Sequence, residues 1–161
     1  MTQYTDLAGS DEMMRHSHQM IMVPRLWSLF PAGPPFTLSW SVFPFNDGSR
    51  GQIPDEPGVY AFLIAPRLGG DLNVSYLMYV GETERTLRER FREYLIEAGS
   101  DRVRPKLLRI LPLYPDHLLF ACAPLPTHIA AKDVEAALLE AFLPPGNDQV
   151  PATVRRSRKA F

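Results

Sequence analysis

The sequence predicts an α/β (α+β) domain built on a small central antiparallel β-sheet of about three strands flanked by helices. Three observations carry that expectation. Short apolar runs occupy residues 59–65, 74–80 and 117–123, the second rich in β-branched and aromatic residues, each bounded by Gly, Pro or Asn signals. Segments of helical periodicity follow the second and third of these runs. The chain has 161 residues, 45% of them hydrophobic and 22% charged, which suits one domain with a real core rather than two.

In chain order, residues 11–22 fit a short helix. They hold His16 and His18, which without a cysteine or an HExxH pattern nearby read as surface histidines in an N-terminal arm rather than a zinc site. Pro24 and the prolines at 31, 34 and 35 break regular structure. Residues 36–43 alternate apolar and polar, the pattern of a half-buried strand, with turns at 46–49 and 54–58. Residues 59–65 and 74–80 then read as a hairpin joined by a long loop containing Gly69 and Gly70. Along residues 86–98, Leu87, Phe91, Tyr94 and Leu95 fall on one helical face, and Gly99 is a natural stop. Residues 103–111 predict a second helix ended by Pro112, with Leu107, Leu108 and Leu111 inward. Residues 117–123 predict a third strand. Residues 128–142 predict an Ala- and Leu-rich helix closed by Pro144 and Pro145. The organisation expected is an N-terminal extension over 1–50 with one further strand, a core domain over 51–148, and a basic tail over 149–161.

Composition excludes several classes. No apolar run approaches the roughly 18 residues of a membrane helix. Acidic Asp6, Asp11 and Glu12 stand where a signal peptide would be basic and then apolar, so a cytoplasmic protein is expected. Cys122, the only cysteine, forms no internal disulfide and reads as a buried small hydrophobe. The net charge is −1, yet 14 of the 17 basic residues are arginine, the side chain that best grips phosphate bidentately. Arg85, Arg88, Arg90, Arg92, Arg102, Arg104, Lys106 and Arg109 form one basic group and Arg155, Arg156, Arg158 and Lys159 a second. Glu82, Glu84, Glu89 and Glu93 interleave with the first, so a salt-bridged helix face is the competing reading.

Short motifs punctuate these elements: Gly58-Val59-Tyr60, Tyr79-Val80-Gly81, Leu87-Arg88-Glu89-Arg90-Phe91, Glu135 ahead of Leu138-Leu139, and Pro144-Pro145-Gly146-Asn147. Their order resembles the catalytic domain of GIY-YIG nucleases over about residues 54–148. The resemblance implies a metal-dependent endonuclease that hydrolyses phosphodiester bonds, in DNA before RNA. It implies Glu135 as ligand of Mg²⁺ (or Mn²⁺), Arg90 as phosphate clamp, Asn147 as a brace of the site, and Tyr60 or Tyr79 as general base. Tyr60 is the preferred base, with Tyr79 positioning the water. Tyr94 matches a tyrosine of excision-repair members and is expected at the phosphate. Gly81, Arg85, Arg88, Arg104 and Lys106 are the further substrate-binding candidates. The family pattern fits Arg90 only with a one-residue insertion before Leu87; otherwise Arg88 takes its place, and Glu140 competes with Glu135. Glu82 stands where many members carry lysine, and the loop after the first tyrosine motif is long, a place for substrate specificity.

The chemistry needs these residue types. One carboxylate with several waters suits magnesium, an arginine offsets phosphate charge, and a tyrosine, with an ordinary pKa of about 10, becomes a base only if its environment lowers that value. Cutting both strands would take two sites and hence a homodimer. The alternative is a nucleic-acid-binding module of the same fold without turnover. Target sequence, strandedness and biological role have no signal in the chain, which carries no recognisable reader module.

Overall fold

The structure, a computed structural model, describes residue 14 and residues 16–29, 38–69, 74–100 and 107–147. A four-stranded antiparallel sheet forms the centre, in the order β1-β4-β2-β3. Its strands are β1 (Ser41–Pro44), β2 (Gly58–Ile64), β3 (Tyr76–Thr83) and β4 (Leu118–Pro124). The helices are α1 (Pro24–Leu29), α2 (Leu87–Ala98), α3 (Leu107–Ile110) and α4 (His128–Phe142), with 3₁₀ turns at Asp47–Gln52 and Leu111–Leu113. Among the described residues no helix is long and apolar enough to cross a membrane.

The period of two along each strand divides the core between the two sheet faces. Tyr60, Phe62, Ile64, Phe120 and Cys122 face α2 and α3, where they meet Leu87, Phe91, Tyr94, Leu107 and Ile110. Val59, Ala61, Val80, Ala121 and Ala123 face α4, where they meet Ala131, Val134, Leu138 and Leu139. The small alanines let α4 lie close to the sheet, while the aromatic face under α2 fills a thicker layer. Trp27 of α1 packs beyond α4 against Phe142 with the rings tilted, and the Val23 N–H donates to the Ala141 carbonyl. α1 thus packs on the outer side of α4.

The α2 start is set by Thr86, whose hydroxyl accepts the Glu89 N–H while the Glu89 carboxylate accepts the Thr86 N–H. Thr127 caps α4 the same way through the Ala130 N–H. Leu143, at φ 32°, ends α4 in the left-handed region and turns the chain back towards the sheet.

Several expectations shift. The first strand is shorter and later than residues 36–43: only Ser41–Pro44 pairs, against β4, while 38–40 are irregular and 36–37 lie outside the described residues. β3 runs on past residue 80 to Thr83, so Gly81 lies inside the strand rather than at its end. Its register sets Tyr60 opposite Gly81 and Tyr79 opposite Phe62. Pro112 does not end a helix but sits inside the 3₁₀ turn that continues α3. His16 and His18 are not a loose arm: their rings meet Tyr114, with Nδ1 and Nε2 at 2.9 and 3.3 Å from its hydroxyl. Arg102, Arg104, Lys106, loop residues 70–73 and the basic tail lie outside the described residues.

Between Phe62 and Leu63 the β2–β3 register slips by one residue, leaving Met78 as the extra residue on β3. Met78 and Tyr79 therefore both face α2, and Leu77 and Val80 both face α4. Beyond this point the free edge of β3 is closed by the chain after α4. Asn147 Oδ1 accepts the Val80 N–H at 2.9 Å and its Nδ2 donates to the Val80 carbonyl at 2.7 Å. Gly146 N–H donates to the Met78 carbonyl at 2.7 Å, an approach so close that a Cβ on Gly146 would sit 2.6 Å from that oxygen. The Asn147 amide imitates a neighbouring strand. Asn147→Ala would leave two backbone groups of β3 without partners, so equilibrium unfolding in denaturant is expected to show a loss of about 1–3 kcal/mol, with faster exchange of the Val80 amide. Unchanged stability and exchange would contradict the bracing role.

Candidate active site

β3 is an edge strand, so side chains from both sheet faces can meet only around its free edge. They do so beside residues 81–84, just past the stretch that Asn147 covers. A cleft of about 470 Å³ opens there, lined by Tyr60, Tyr79, Gly81, Glu82, Thr83, Glu84, Arg85, Arg90, His128, Lys132 and Glu135. The tyrosines, Gly81 and Arg90 come from the α2 side, and His128, Lys132 and Glu135 from α4.

The floor is a hydrogen-bonded network. Arg90 Nε donates to the Tyr60 hydroxyl at 3.1 Å, Nη2 to the Tyr94 hydroxyl at 2.8 Å, and Nη1 to the Glu93 carboxylate at 2.7 Å. The two hydroxyls lie 2.9 Å apart. Arg90 is only 6% exposed, and its charge is tolerated there because three of its five N–H groups have partners. Burial lowers the guanidinium pKa, but Tyr60, Tyr94 and Glu93 more than offset this, and the net direction is upward. Glu93 is drawn below the usual carboxylate range: burial pushes it up, but Arg90 and Arg85 outweigh that. Arg85 reaches Glu93 at 2.6 Å from the cleft rim.

Tyr60 is 1% exposed and Tyr94 fully buried. Burial, reinforced by neighbouring tyrosines, raises both hydroxyls far above the ordinary tyrosine value. Tyr79 differs. It is half-buried, lies 6.2 Å from the Tyr60 ring, and its hydroxyl has no hydrogen-bond partner among the described residues. Tyr79 pairs with Phe62 and alternates regularly with Gly81, which puts it on this face, and Gly81 makes room for Tyr60: a Cβ on Gly81 would stand 2.5 Å from the Tyr60 ring and hydroxyl.

On the α4 side, residues 128, 132 and 135 follow helical spacing and share one face of α4. Burial and the nearby Glu82 carboxylate raise Glu135 to about 7, partly opposed by Lys132 and His128. Glu82 itself points to the α4 face, where its Oε2 lies 2.6 Å from His128 Nε2.

The sequence candidates therefore divide. Tyr60, Tyr79, Gly81, Arg85, Arg90 and Glu135 line one cleft, and Tyr94 lies directly beneath it. Asn147 is outside the lining, bracing β3. Arg88 also lies elsewhere: its Nε donates to the Ile53 carbonyl at 2.9 Å and its Nη1 meets Asp55 at 3.2 Å, tying α2 to the preceding loop. Of the two arginines compatible with the motif, Arg90 is the one that meets the tyrosines. Glu140 does not line the cleft, whereas Glu135 does. His128 and Lys132 were missed. The signal available was the spacing 128–132–135 on a helix already expected. The acid at Glu82 was noticed, but only contact between β3 and α4 reveals its partner.

Among the described residues no group of three or more His, Cys, Asp or Glu side chains is arranged to hold a metal ion unaided. A cage of protein ligands is therefore not what this cleft offers. It offers the Glu135 carboxylate, whose ionised form its surroundings disfavour, beside open volume for water, while Glu82 and Glu84 are turned to His128. That donor set fits a hydrated magnesium-like cation, which accepts few protein ligands and keeps its waters. No family model matches the chain, and no curated protein or solved structure is found similar to it.

Because the folded state holds the Glu135 proton more tightly than the unfolded chain, stability falls as pH rises from about 4.5 through about 7, and the whole cost is present above that window. Glu135→Gln, neutral throughout, is expected to raise the Tm relative to wild type at pH 8 and to lose that advantage at pH 4. A Tm difference that does not change with pH would contradict the crowded-carboxylate description.

Proposed function

We propose that this chain is a metal-dependent endonuclease of the GIY-YIG type, hydrolysing phosphodiester bonds in DNA at the cleft beside β3. The observation that carries the reading is the convergence of Tyr79, Arg90 and Glu135, from three separate elements and both faces of the sheet, on one open cleft. Each has a role in phosphodiester hydrolysis, and the ordered motifs that suggested them span the same elements.

The roles follow from the environments. Arg90 keeps two N–H groups beyond those used by Tyr60, Tyr94 and Glu93, and it meets the non-bridging phosphate oxygens with a guanidinium that is already oriented. Tyr60 and Tyr94 set that orientation from below. Neither takes up the proton of the attacking water, because burial holds both hydroxyls protonated. In this reading the role of base, expected of Tyr60, is not given to it. Tyr79, with its hydroxyl uncommitted at the cleft wall, positions the water. Glu135 would hold Mg²⁺ or Mn²⁺, and the ion would supply Lewis-acid stabilisation of the phosphate and the departing oxygen. Arg85 and Lys132 extend the positive wall towards the neighbouring backbone phosphates.

Supercoiled plasmid is expected to be nicked by the wild-type chain with Mg²⁺ and left intact with EDTA or by Glu135→Ala. Arg90→Gln, which removes the charge and keeps an amide donor, is expected to lower the nicking rate by about 10²–10³, with folding checked by circular dichroism. A wild type that leaves duplex, single-stranded DNA and RNA intact with either metal would overturn the nuclease reading.

A further inference from the structure

We infer that His128, backed by Glu82, is the proton acceptor for the attacking water, a role that rests on the nuclease reading. Phosphodiester hydrolysis needs an acceptor near neutral pH, and imidazole is the side chain suited to that range. The two tyrosines of the cleft floor are unsuited to it, since burial keeps their protons in place.

His128 has the position and the partner. Its side chain is 28% exposed and lines the same cleft as Tyr79, Arg90 and Glu135. As the first residue of α4 it is placed by the Thr127 cap, not by a loop. Glu82 sits on the strand that also carries Tyr79, with Oε2 at 2.6 Å from His128 Nε2. That oxygen is buried and no hydrogen bond among the described residues is aligned on it, the close imidazole included, so a small turn of the ring is what brings Nε2–H onto it. A carboxylate at Nε2 selects the tautomer protonated there and leaves the Nδ1 lone pair available. This is the logic by which a carboxylate orients a catalytic histidine in hydrolytic triads. Nδ1 is 3.5 Å from Glu84 Oε2, too long for a direct bond, and Glu84 is largely exposed. A water between them would find two acceptors. The groups facing His128 are thus Glu82 and Glu84 from β3 and the turn after it, with Arg85 on the same rim and Lys132 and Glu135 on its own helix. The acid at Glu82, which weakens the field for binding phosphate, gains a use as the anchor of a base.

In the step, the water oxygen bonds to phosphorus and the bond from phosphorus to the leaving sugar oxygen breaks. The water proton passes to His128 Nδ1, and the leaving oxygen takes a proton from solvent. His128 then releases its proton to solvent, and the site is restored.

The test is single-turnover nicking of supercoiled plasmid by the full chain with Mg²⁺, comparing wild type, His128→Ala, Glu82→Gln, and His128→Ala with added imidazole. Plasmid binding is measured alongside. The result expected is a fall of about 10²–10⁴ for His128→Ala with binding retained, at least tenfold recovery with imidazole, and a smaller fall for Glu82→Gln. Nitrogen NMR of the His128 ring in wild type is expected to show Nε2 protonated and Nδ1 bare. His128→Ala cutting within twofold of wild type would overturn the inference and leave the nuclease reading standing. So would a loss that imidazole does not restore, or a ring protonated at Nδ1. A wild type that cuts nothing overturns both.

Discussion

A guanidinium sunk into the floor of an open cleft is the constraint on which the rest of this structure depends. Arg90 is almost fully enclosed, and an enclosed charge left without partners would destabilise the domain by several kcal/mol. Tyr60, Tyr94 and Glu93 supply those partners, from two elements of the fold. Tyr94 and Glu93 share α2 with Arg90, within one turn. Tyr60 comes from β2, and it reaches Arg90 because the residue opposite it on β3 is Gly81, which has no side chain to occupy the space. The aromatic layer of Phe62, Phe91 and Phe120 then packs around the network and excludes water from it.

The second constraint is the edge. A sheet whose last strand were covered along its whole length could not let residues of its two faces share a cleft. Among the described residues the chain after α4 covers β3 only as far as Val80, through the Asn147 amide and the Gly146 N–H. Glu135 from one side and Arg90 from the other then approach the same volume. Tyr79, opposite Phe62 and two residues before Gly81, shares the face of Tyr60 by regular alternation. The cleft is thus a consequence of where the strand is left open, and its electrostatics follow. Its α2 side carries buried positive charge held by hydroxyls. Its α4 side carries two carboxylates close enough to hold a proton on Glu135 up to about 7.

Much of this was legible in the chain, unevenly. Periodicity located α4 to the residue and α2 to within one, because long apolar stripes with capping threonines are strong local signals. The hairpin and the burial of Cys122 were equally readable. What local signals do not carry is register and contact between distant elements. The place of Gly81 opposite Tyr60, the extra residue at Met78 and the brace at Asn147 all depend on how strands and the returning chain align. The burial of Tyr60, which argues against it as a base, is likewise a tertiary property. His128 went unremarked since a histidine at a helix start has no meaning until Glu82 is seen beside it.

The central claim is that one phosphodiester sits between Arg90 and a cation held by Glu135. The most direct measurement is a crystal structure of the full chain with a short DNA duplex and Mn²⁺, with the metal located by its anomalous signal. The account predicts an anomalous peak against the Glu135 carboxylate, with a backbone phosphate between it and the Arg90 guanidinium. A duplex bound away from the β3 edge, or manganese located anywhere but beside Glu135, would contradict it.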